Sequence, residues 1–322
     1  MIHTYLKQNG QISKSSNVIL SDLTIWIDLI EMTVKEENLI ESTLKINIPN
    51  REEVAQIEIS NKLYTENEAL YISLLVTNDD QEIAPNDSIT FILYNNKLLT
   101  IRYSKLSKPF NYFISNLEKI HTEYTDAKLM FLGIFSILIE RLADILQEIK
   151  HKIDKINNEI FSTDYQHSNK EKINHLDILK KIGRYGNLIS KNQESLLSFS
   201  RAINYTKKSV EFNHNEQYFN KLDTMLADIH SLNEHADSMS TETTFLLEAT
   251  LGMINIEQSN IIRLVSVVSL VFLPPTLIAS IYGMNFEWMP ELEYKIGYPI
   301  VLFVMLISGW LPYKFCKKKR WL

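Results

Sequence analysis

Two long runs without a charged residue lie near the C-terminus, and they constrain the fold more than any other feature of the chain. Residues 264–284 form the first run and residues 296–313 form the second. A helix needs about 20 predominantly apolar residues to cross the hydrocarbon core of a bilayer. The two runs therefore predict a transmembrane hairpin, and the lipid bilayer is the first expected partner of the chain.

The opening 108 residues predict a separate α/β domain. Runs rich in β-branched and aromatic residues are typical of strands, and they occur at residues 17–20, 24–30, 69–77, 88–94 and 97–103. Residues 33–46 have apolar side chains at helical spacing, and Asn50 followed by Glu52 and Glu53 resembles a helix N-cap. Asn95 and Asn96 predict a hairpin turn, because Asn tolerates the positive φ that such turns need.

A helical stalk is predicted between this domain and the membrane. After Pro109, apolar residues recur every three or four positions, and the next proline is Pro274. A single helix over residues 216–281 would span on the order of 100 Å. We therefore expect a cytoplasmic α/β domain at residues 1–108, a cytoplasmic helical stalk at 109–260 and a transmembrane hairpin at 261–322.

The charges at the C-terminus orient the hairpin. Four lysines and Arg320 follow the second run within residues 314–320, and the positive-inside rule places them in the cytosol. The N-terminus has neither a basic region nor an apolar region of a signal peptide. The prediction is a multi-pass protein of the inner (plasma) membrane, with both termini cytoplasmic and residues 285–295 facing outward.

Composition excludes several functions. The net charge is −6, which argues against a nucleic-acid partner and is compatible with a cation. A single cysteine, Cys316, excludes an internal disulfide framework and a cysteine-rich metal site. The chain has no P-loop, no dinucleotide-binding glycine motif and no H-E-x-x-H motif. We expect neither an enzyme nor an organic cofactor.

A stripe of hydroxyl and apolar residues runs along the first membrane helix at helical spacing. Its members are Ser259, Ile262, Ser266, Ser269, Leu273, Thr276 and Ser280. Hydroxyls inside a bilayer face a partner helix or water. Helix packing in a plain anchor is one reading of this stripe. A pore is the other, and it requires several copies of the chain around one axis, because two crossings cannot enclose a water path.

The loop between the membrane runs carries a motif that resembles the CorA family of magnesium and cobalt transporters. Tyr282-Gly283-Met284-Asn285 closes the first run, and Met289-Pro290-Glu291-Leu292 follows it. The segments 252–258 and 26–29 are also similar to that family, so the resemblance covers nearly the whole chain. It implies a funnel-shaped homopentamer whose first membrane helix lines the pore. A related zinc-transporting branch usually has Ile in place of Met284 and a different outer loop.

The residue chemistry fits transport of a hydrated cation. Mg²⁺ gives up its octahedral water shell reluctantly. The predicted selectivity filter comprises Tyr282, Gly283, Met284 and Asn285. The Asn285 side-chain carbonyls and the Gly283 backbone carbonyls would contact those waters with neutral oxygens, and Tyr282 would support the loop by packing. Glu287, Glu291 and Glu293 are predicted to concentrate cations at the outer mouth, or else to form a solvated acidic loop. Apolar gate positions are predicted at Ile262, Val265 and Leu273, of which Leu273 beside Pro274 is preferred.

The resemblance also implies a regulatory Mg²⁺ site between neighbouring cytoplasmic domains. Asp223, Asp228, Glu53 and Glu58 are the candidate ligands in this sequence. The chain departs from the family at two places. Gln56 stands where relatives often have Asp, and a neutral amide is a weaker ligand for a hard cation. Ser259 stands where relatives often have Asn, so this position has a hydroxyl with less reach than the amide.

Three functions remain open from the sequence. The leading hypothesis is a membrane-potential-driven Mg²⁺ channel that also admits Co²⁺ and Ni²⁺. The second is a zinc transporter of the related branch. The third is a membrane-anchored helical scaffold that does not conduct ions.

Overall fold

The computed structural model describes residues 1–8, 11–15, 21–50, 53, 62–77, 87–103, 107–117, 124–161, 174–210, 212, 215–284, 289–290 and 296–319. The chain divides into two compact units, Met1–Leu247 and Glu248–Leu322.

Seven strands form one mixed sheet in the first unit. They are β1 (Ile2–Gln8), β2 (Gln11–Ser15), β3 (Thr24–Ile30), β4 (Leu63–Glu66), β5 (Ala69–Val76), β6 (Asp87–Tyr94) and β7 (Lys97–Arg102), in the order β2-β1-β3-β7-β6-β5-β4. Only the β3–β7 pair is parallel among these strands, with Asp28 opposite Thr100. Six of the seven residues of β3 are buried, as expected for a central strand covered on both faces.

Six helices complete the described secondary structure. They are α1 (Val34–Leu44), α2 (Ser107–Leu117), α3 (Ala127–Phe161), α4 (His175–Lys208), α5 (Glu216–Tyr282) and α6 (Gly297–Lys318).

Apolar layers cover the sheet on both faces. On one face, Ile40 of α1 packs into a buried cluster with Ile27 and Leu99. On the other face, Trp26 stacks against Phe110 of α2 at 6.4 Å, and Phe91 contacts Phe131 of α3 edge-on at 5.5 Å. The α/β domain expected from the sequence is therefore confirmed as a helix–sheet–helix arrangement.

The long helices α3, α4 and α5 pack through a seven-residue repeat. Buried positions alternate at spacings of three and four, the pattern of a left-handed coiled coil. They include Ile139, Leu142, Leu146, Ile149, Ile153, Ile156 and Ile160 in α3, Ile189, Asn192, Leu196, Phe199, Ile203 and Thr206 in α4, and Leu222, Met225, Ile229, Ala236, Met239, Thr243 and Leu246 in α5.

Polar contacts tie the three helices together. The amide of Asn192 donates to the Leu142 carbonyl at 3.1 Å, joining α4 to α3. The ammonium of Lys150 donates to the Glu242 carboxylate at 2.7 Å, joining α3 to α5.

Helices α3 and α5 are parallel, because Asp126 bonds to Tyr218 near their N-terminal ends and Phe161 stacks on Phe245 farther along both. Helix α4 is antiparallel to α5, because Gln193 bonds to Asp237 and Lys207 to Asp223.

The second unit contains the predicted membrane hairpin. Helices α5 and α6 are both long and apolar enough to cross a membrane. Gly309 of α6 lies against Val271 and Pro275 of α5, and a Cβ at this glycine would be 3.3 Å from the Val271 carbonyl oxygen. The absence of a side chain at Gly309 is what lets the two helices approach so closely.

Candidate functional site

The predicted pore stripe lies on the side of α5 that faces away from α6. Val267 is buried, and Val271, Pro274, Pro275 and Ile278 are partly buried, so these five residues mark the face toward α6. At 100° per residue, the stripe is rotated from that face by roughly 150°. All seven members of the stripe, and the gate candidate Val265, are exposed in the single chain.

Three hydroxyls of the stripe donate back into their own helix. Ser266 donates to the Ile262 carbonyl at 2.8 Å, Ser269 to Val265 at 2.9 Å, and Thr276 to Phe272 at 2.7 Å. Each hydroxyl proton is therefore used inside the helix. The oxygen lone pairs stay available to accept hydrogen bonds from outside it.

Large apolar residues alternate with these hydroxyls along the same face. Ile262 is 58% exposed, Val265 57% and Leu273 65%. Leu273 directly precedes Pro274 and Pro275, and α5 continues through both prolines. Proline has no N–H, so the carbonyls of Leu270 and Val271 have no intrahelical donor four residues ahead. The face away from α6 thus carries the hydroxyl oxygens of Ser266, Ser269 and Thr276, which can accept hydrogen bonds and are separated by bulky apolar side chains.

The loop motif begins where α5 ends. Tyr282 is the last helical residue and is exposed. The Gly283 amide donates to the Ala279 carbonyl at 2.9 Å, and the Met284 amide donates to Ile281 at 3.2 Å. Gly283 is not in the left-handed region, and a Cβ there would lie 3.2 Å from the Ala279 oxygen. Gly283 therefore does not serve a positive φ here.

Comparison with known proteins identifies the family. A family model described as "CorA-like Mg2+ transporter protein" matches residues 21–318. The chain belongs to this family. The magnesium transport protein CorA of Mannheimia succiniciproducens is 30% identical over 325 residues, which cover 100% of both chains. That of Salmonella typhimurium is 32% identical, with 92% of each chain covered.

A solved structure supports the fold of this CorA-family chain. The complete structure of the CorA magnesium transporter from Methanocaldococcus jannaschii matches with a TM-score of 0.80 at 16% identity, covering 100% of this chain and 99% of the other. The family resemblance, the fold class and the assignment as a membrane magnesium transporter with two membrane helices are thereby confirmed.

Part of the predicted mouth of this CorA-family transporter lies outside the described residues. That part comprises Asn285, Glu287, Glu291 and Glu293. Glu58 and Gln56 of the predicted regulatory site also lie outside them, as does the strand predicted at residues 17–20. Their roles remain predictions.

The remaining candidates for the regulatory site are not brought together within one copy of the transporter. Asp223 forms an ion pair with Lys207 of α4, Asp228 is exposed on α5, and the Glu53 carboxylate accepts from the Asn50 amide at 2.9 Å. Among the described residues, no three acidic, histidine or cysteine side chains form a group that could hold a metal ion. Asp223 would have to exchange Lys207 for a cation, and the other ligands would have to come from a second copy.

The sequence analysis missed a buried polar network that joins β3 to β7. The Asp28 carboxylate accepts from Thr100 at 2.7 Å and from the Arg102 Nε at 3.0 Å. The Trp26 indole donates to the Thr100 hydroxyl at 3.0 Å. The available signal was Asp28 within an otherwise apolar run, because a buried carboxylate requires a partner.

Proposed function

We propose that the chain assembles as a homopentamer in the inner membrane and conducts hydrated Mg²⁺ into the cytosol, with both termini cytoplasmic. Each copy would contribute the stripe of α5 to one central pore. The three predicted domains, at residues 1–108, 109–260 and 261–322, would then be a sensor, a stalk and the pore.

The observation that carries this proposal is the orientation of the hydroxyls on α5. Water bound to Mg²⁺ directs its oxygen at the ion and its hydrogens outward, so a wall that binds the hydrated ion must accept hydrogen bonds. Ser266, Ser269 and Thr276 have their own protons committed to the helix, and their lone pairs face away from α6. Such a wall suits a hydrated cation, because it does not require the ion to lose its waters.

Selectivity is proposed at the end of the same helix. The Asn285 side-chain carbonyls, together with backbone carbonyls at Gly283, would form a ring of neutral oxygens around the hydrated ion. Glu287, Glu291 and Glu293 would raise the local cation concentration at the outer mouth. Co²⁺ and Ni²⁺ form hydrated ions of the same charge, and we propose that they are admitted as well.

The membrane potential supplies the driving force in this proposal. A divalent ion that moves inward through 100 mV gains about 4.6 kcal/mol, twice the roughly 2.3 kcal/mol of one elementary charge. Ile262, Val265 and Leu273 would close the pore as apolar rings that exclude water. Regulation by cytoplasmic Mg²⁺ through Asp223, Asp228, Glu53 and Glu58 remains part of the proposal.

Replacement of Asn285 tests the filter. In liposomes that enclose a Mg²⁺-sensitive dye, Asn285→Ala is expected to reduce Mg²⁺ influx to background, because the ring of side-chain carbonyls is lost. The oligomeric state by native mass spectrometry is expected to stay unchanged. Asn204→Ala is the matched control, since Asn204 is exposed on α4 and bonds only to its own helix.

Normal influx in Asn285→Ala would contradict the filter assignment. Absence of divalent-ion flux in the unmodified protein would support the non-conducting scaffold. Flux that Zn²⁺ carries in preference to Mg²⁺ would support the zinc-transporting branch.

A further inference from the structure

Several cationic side chains that lie partly or fully inside the first unit bond to acids, and Lys7 and Lys97 donate to backbone carbonyls. Arg102 bonds to Asp28, Lys150 bonds to both Asp154 and Glu242, and Lys207 pairs with Asp223. Such partners offset the free-energy cost of burying a charge. Two cations that share a pocket without an acidic partner are therefore an exception that needs an explanation.

Lys62 and Arg201 form that exception. They line one cavity of about 350 Å³ between the β4–β5 hairpin and α4. Lys62 is partly buried and Arg201 is exposed. Neither side chain has an ion-pair partner in the part of the chain that the structure describes. Burial lowers the pKa of Lys62, and the charge of Arg201 lowers it further. Each cation is electrostatically unfavourable for the other, and a bound anion would relieve both.

We propose that this cavity binds a small phosphate monoester, with its phosphate between the Lys62 ammonium and the Arg201 guanidinium. The proposal concerns a binding site separate from the pore and does not depend on the proposed mode of conduction.

The chemistry of the walls favours phosphate. Arginine binds phosphate oxygens through two parallel N–H groups, and lysine adds a mobile point charge. Ser198 adds a further donor: its hydroxyl oxygen already accepts from the Leu75 amide at 3.1 Å, which leaves its proton available.

The size and apolar part of the cavity favour an ester over the free ion. Its volume is at the lower end of the range of about 300–1,000 Å³ that is typical of small-molecule sites. Leu63, Leu75 and Leu197 supply apolar walls, with which inorganic phosphate would make no favourable contact. A small organic group attached to the phosphate would bury apolar surface against them.

One acidic side chain also lines the cavity. Glu194 is exposed on α4, one turn before Ser198, and has an interaction of its own. Its charge partly offsets those of Lys62 and Arg201 and would repel the phosphate. Removal of this charge should therefore strengthen binding.

Isothermal titration calorimetry on the full-length protein in uncharged detergent tests the site, with phenyl phosphate and inorganic phosphate as probes. Phenyl phosphate is expected to saturate one site per chain and to bind more tightly than inorganic phosphate. Lys62→Gln and Arg201→Gln are each expected to weaken binding by about tenfold or more, since each removes a charge-assisted contact. Glu194→Gln is expected to strengthen binding by about two- to fivefold.

Lys180→Gln is the matched control, because Lys180 is exposed on the same helix and lies outside the cavity. Circular dichroism of every variant checks that the fold is kept, and the conservative Arg201→Lys variant should retain part of the affinity. A repeat in nanodiscs with phosphatidic acid separates two sources of the phosphate. Competition by the lipid would assign the site to a headgroup, and unchanged binding would assign it to a soluble ester.

Several results would overturn the proposal. They are the absence of saturable binding to the unmodified protein, equal affinity in folded Lys62→Gln and Arg201→Gln, and an equal loss in Lys180→Gln. Tighter binding of inorganic phosphate than of phenyl phosphate would refute the ester assignment.

Discussion

Asp28 and Arg102 form an ion pair at the centre of the sheet, where both side chains are almost completely buried. The Arg102 guanidinium also lies 3.9 Å above the Phe110 ring, so α2 covers the pair. Removal of one partner would leave the other charge buried and uncompensated. Arg102→Met is expected to lower the free energy of unfolding by about 3–5 kcal/mol. Urea denaturation followed by circular dichroism measures this loss.

The double variant Asp28→Asn/Arg102→Met separates the effect of an unpaired buried charge from the effect of losing the Arg102 contact with Phe110. It removes both charges, so we expect it to be more stable than Arg102→Met alone. If both variants lose the same stability, the guanidinium acts through its packing on Phe110 and not through the pair.

Turns and helix caps were predictable where a short sequence pattern determines the backbone conformation. Asn95 and Asn96 both have positive φ, 45° and 57°, as the predicted hairpin turn requires. Asn50 and Glu53 bond reciprocally as the predicted cap. The Asp28–Arg102 pair was not predictable, because its partners are separated by 74 positions and meet only through a parallel strand pairing.

At the scale of elements, the contact between the two membrane helices depends on Gly309. Any side chain at this position would press on the Val271 carbonyl and the Pro275 ring, each 3.3 Å from the added Cβ. Gly309→Val is expected to destabilise the hairpin by about 1–3 kcal/mol through overpacking. A lower melting temperature of the protein in detergent, with reduced Mg²⁺ influx, checks this expectation.

Gly252→Val in α5 is the control for this substitution. A Cβ at Gly252 meets no atom within 4 Å of it, so the melting temperature should change little. An equal loss in both variants would show that valine in a helix, and not the Gly309 contact, causes the destabilisation.

The helical stretches predicted at residues 33–46 and 216–281 correspond to α1 and α5, whereas the strands were predicted only in part. Strands β3, β5, β6 and β7 have dense apolar runs and lie within about one residue of their predicted bounds. Strands β1, β2 and β4 were missed, because they lie at or near the sheet edges and mix polar with apolar residues. The seven-residue repeat also includes Asn192, whose side-chain oxygen is buried and has no hydrogen-bond partner among the described residues. A polar residue in such a seam fixes helix register.

At the scale of the whole molecule, a single copy leaves the hydroxyl stripe of α5 exposed, which is unfavourable in contact with lipid. Several copies around an axis would turn the stripe away from lipid and toward water. The sequence could predict the stripe but not its orientation relative to α6, which depends on the contact at Gly309. That orientation now makes the assembly testable with one cysteine at a time.

We expect Ser269→Cys, in a Cys316→Ser background, to form covalent dimers on mild oxidation in membranes. The stripe positions would then face one another across the axis. Val304→Cys is the control: Val304 is 46% exposed and lies roughly 140° around α6 from Gly309, so it should face lipid and remain monomeric. Equal cross-linking at both positions would contradict the proposal that the stripe of α5 faces a shared axis. Cross-linking at Ser269 alone, with five copies by native mass spectrometry, would place the accepting hydroxyl oxygens of α5 around a shared path. Leu273, the preferred gate candidate, would then be the next position to test.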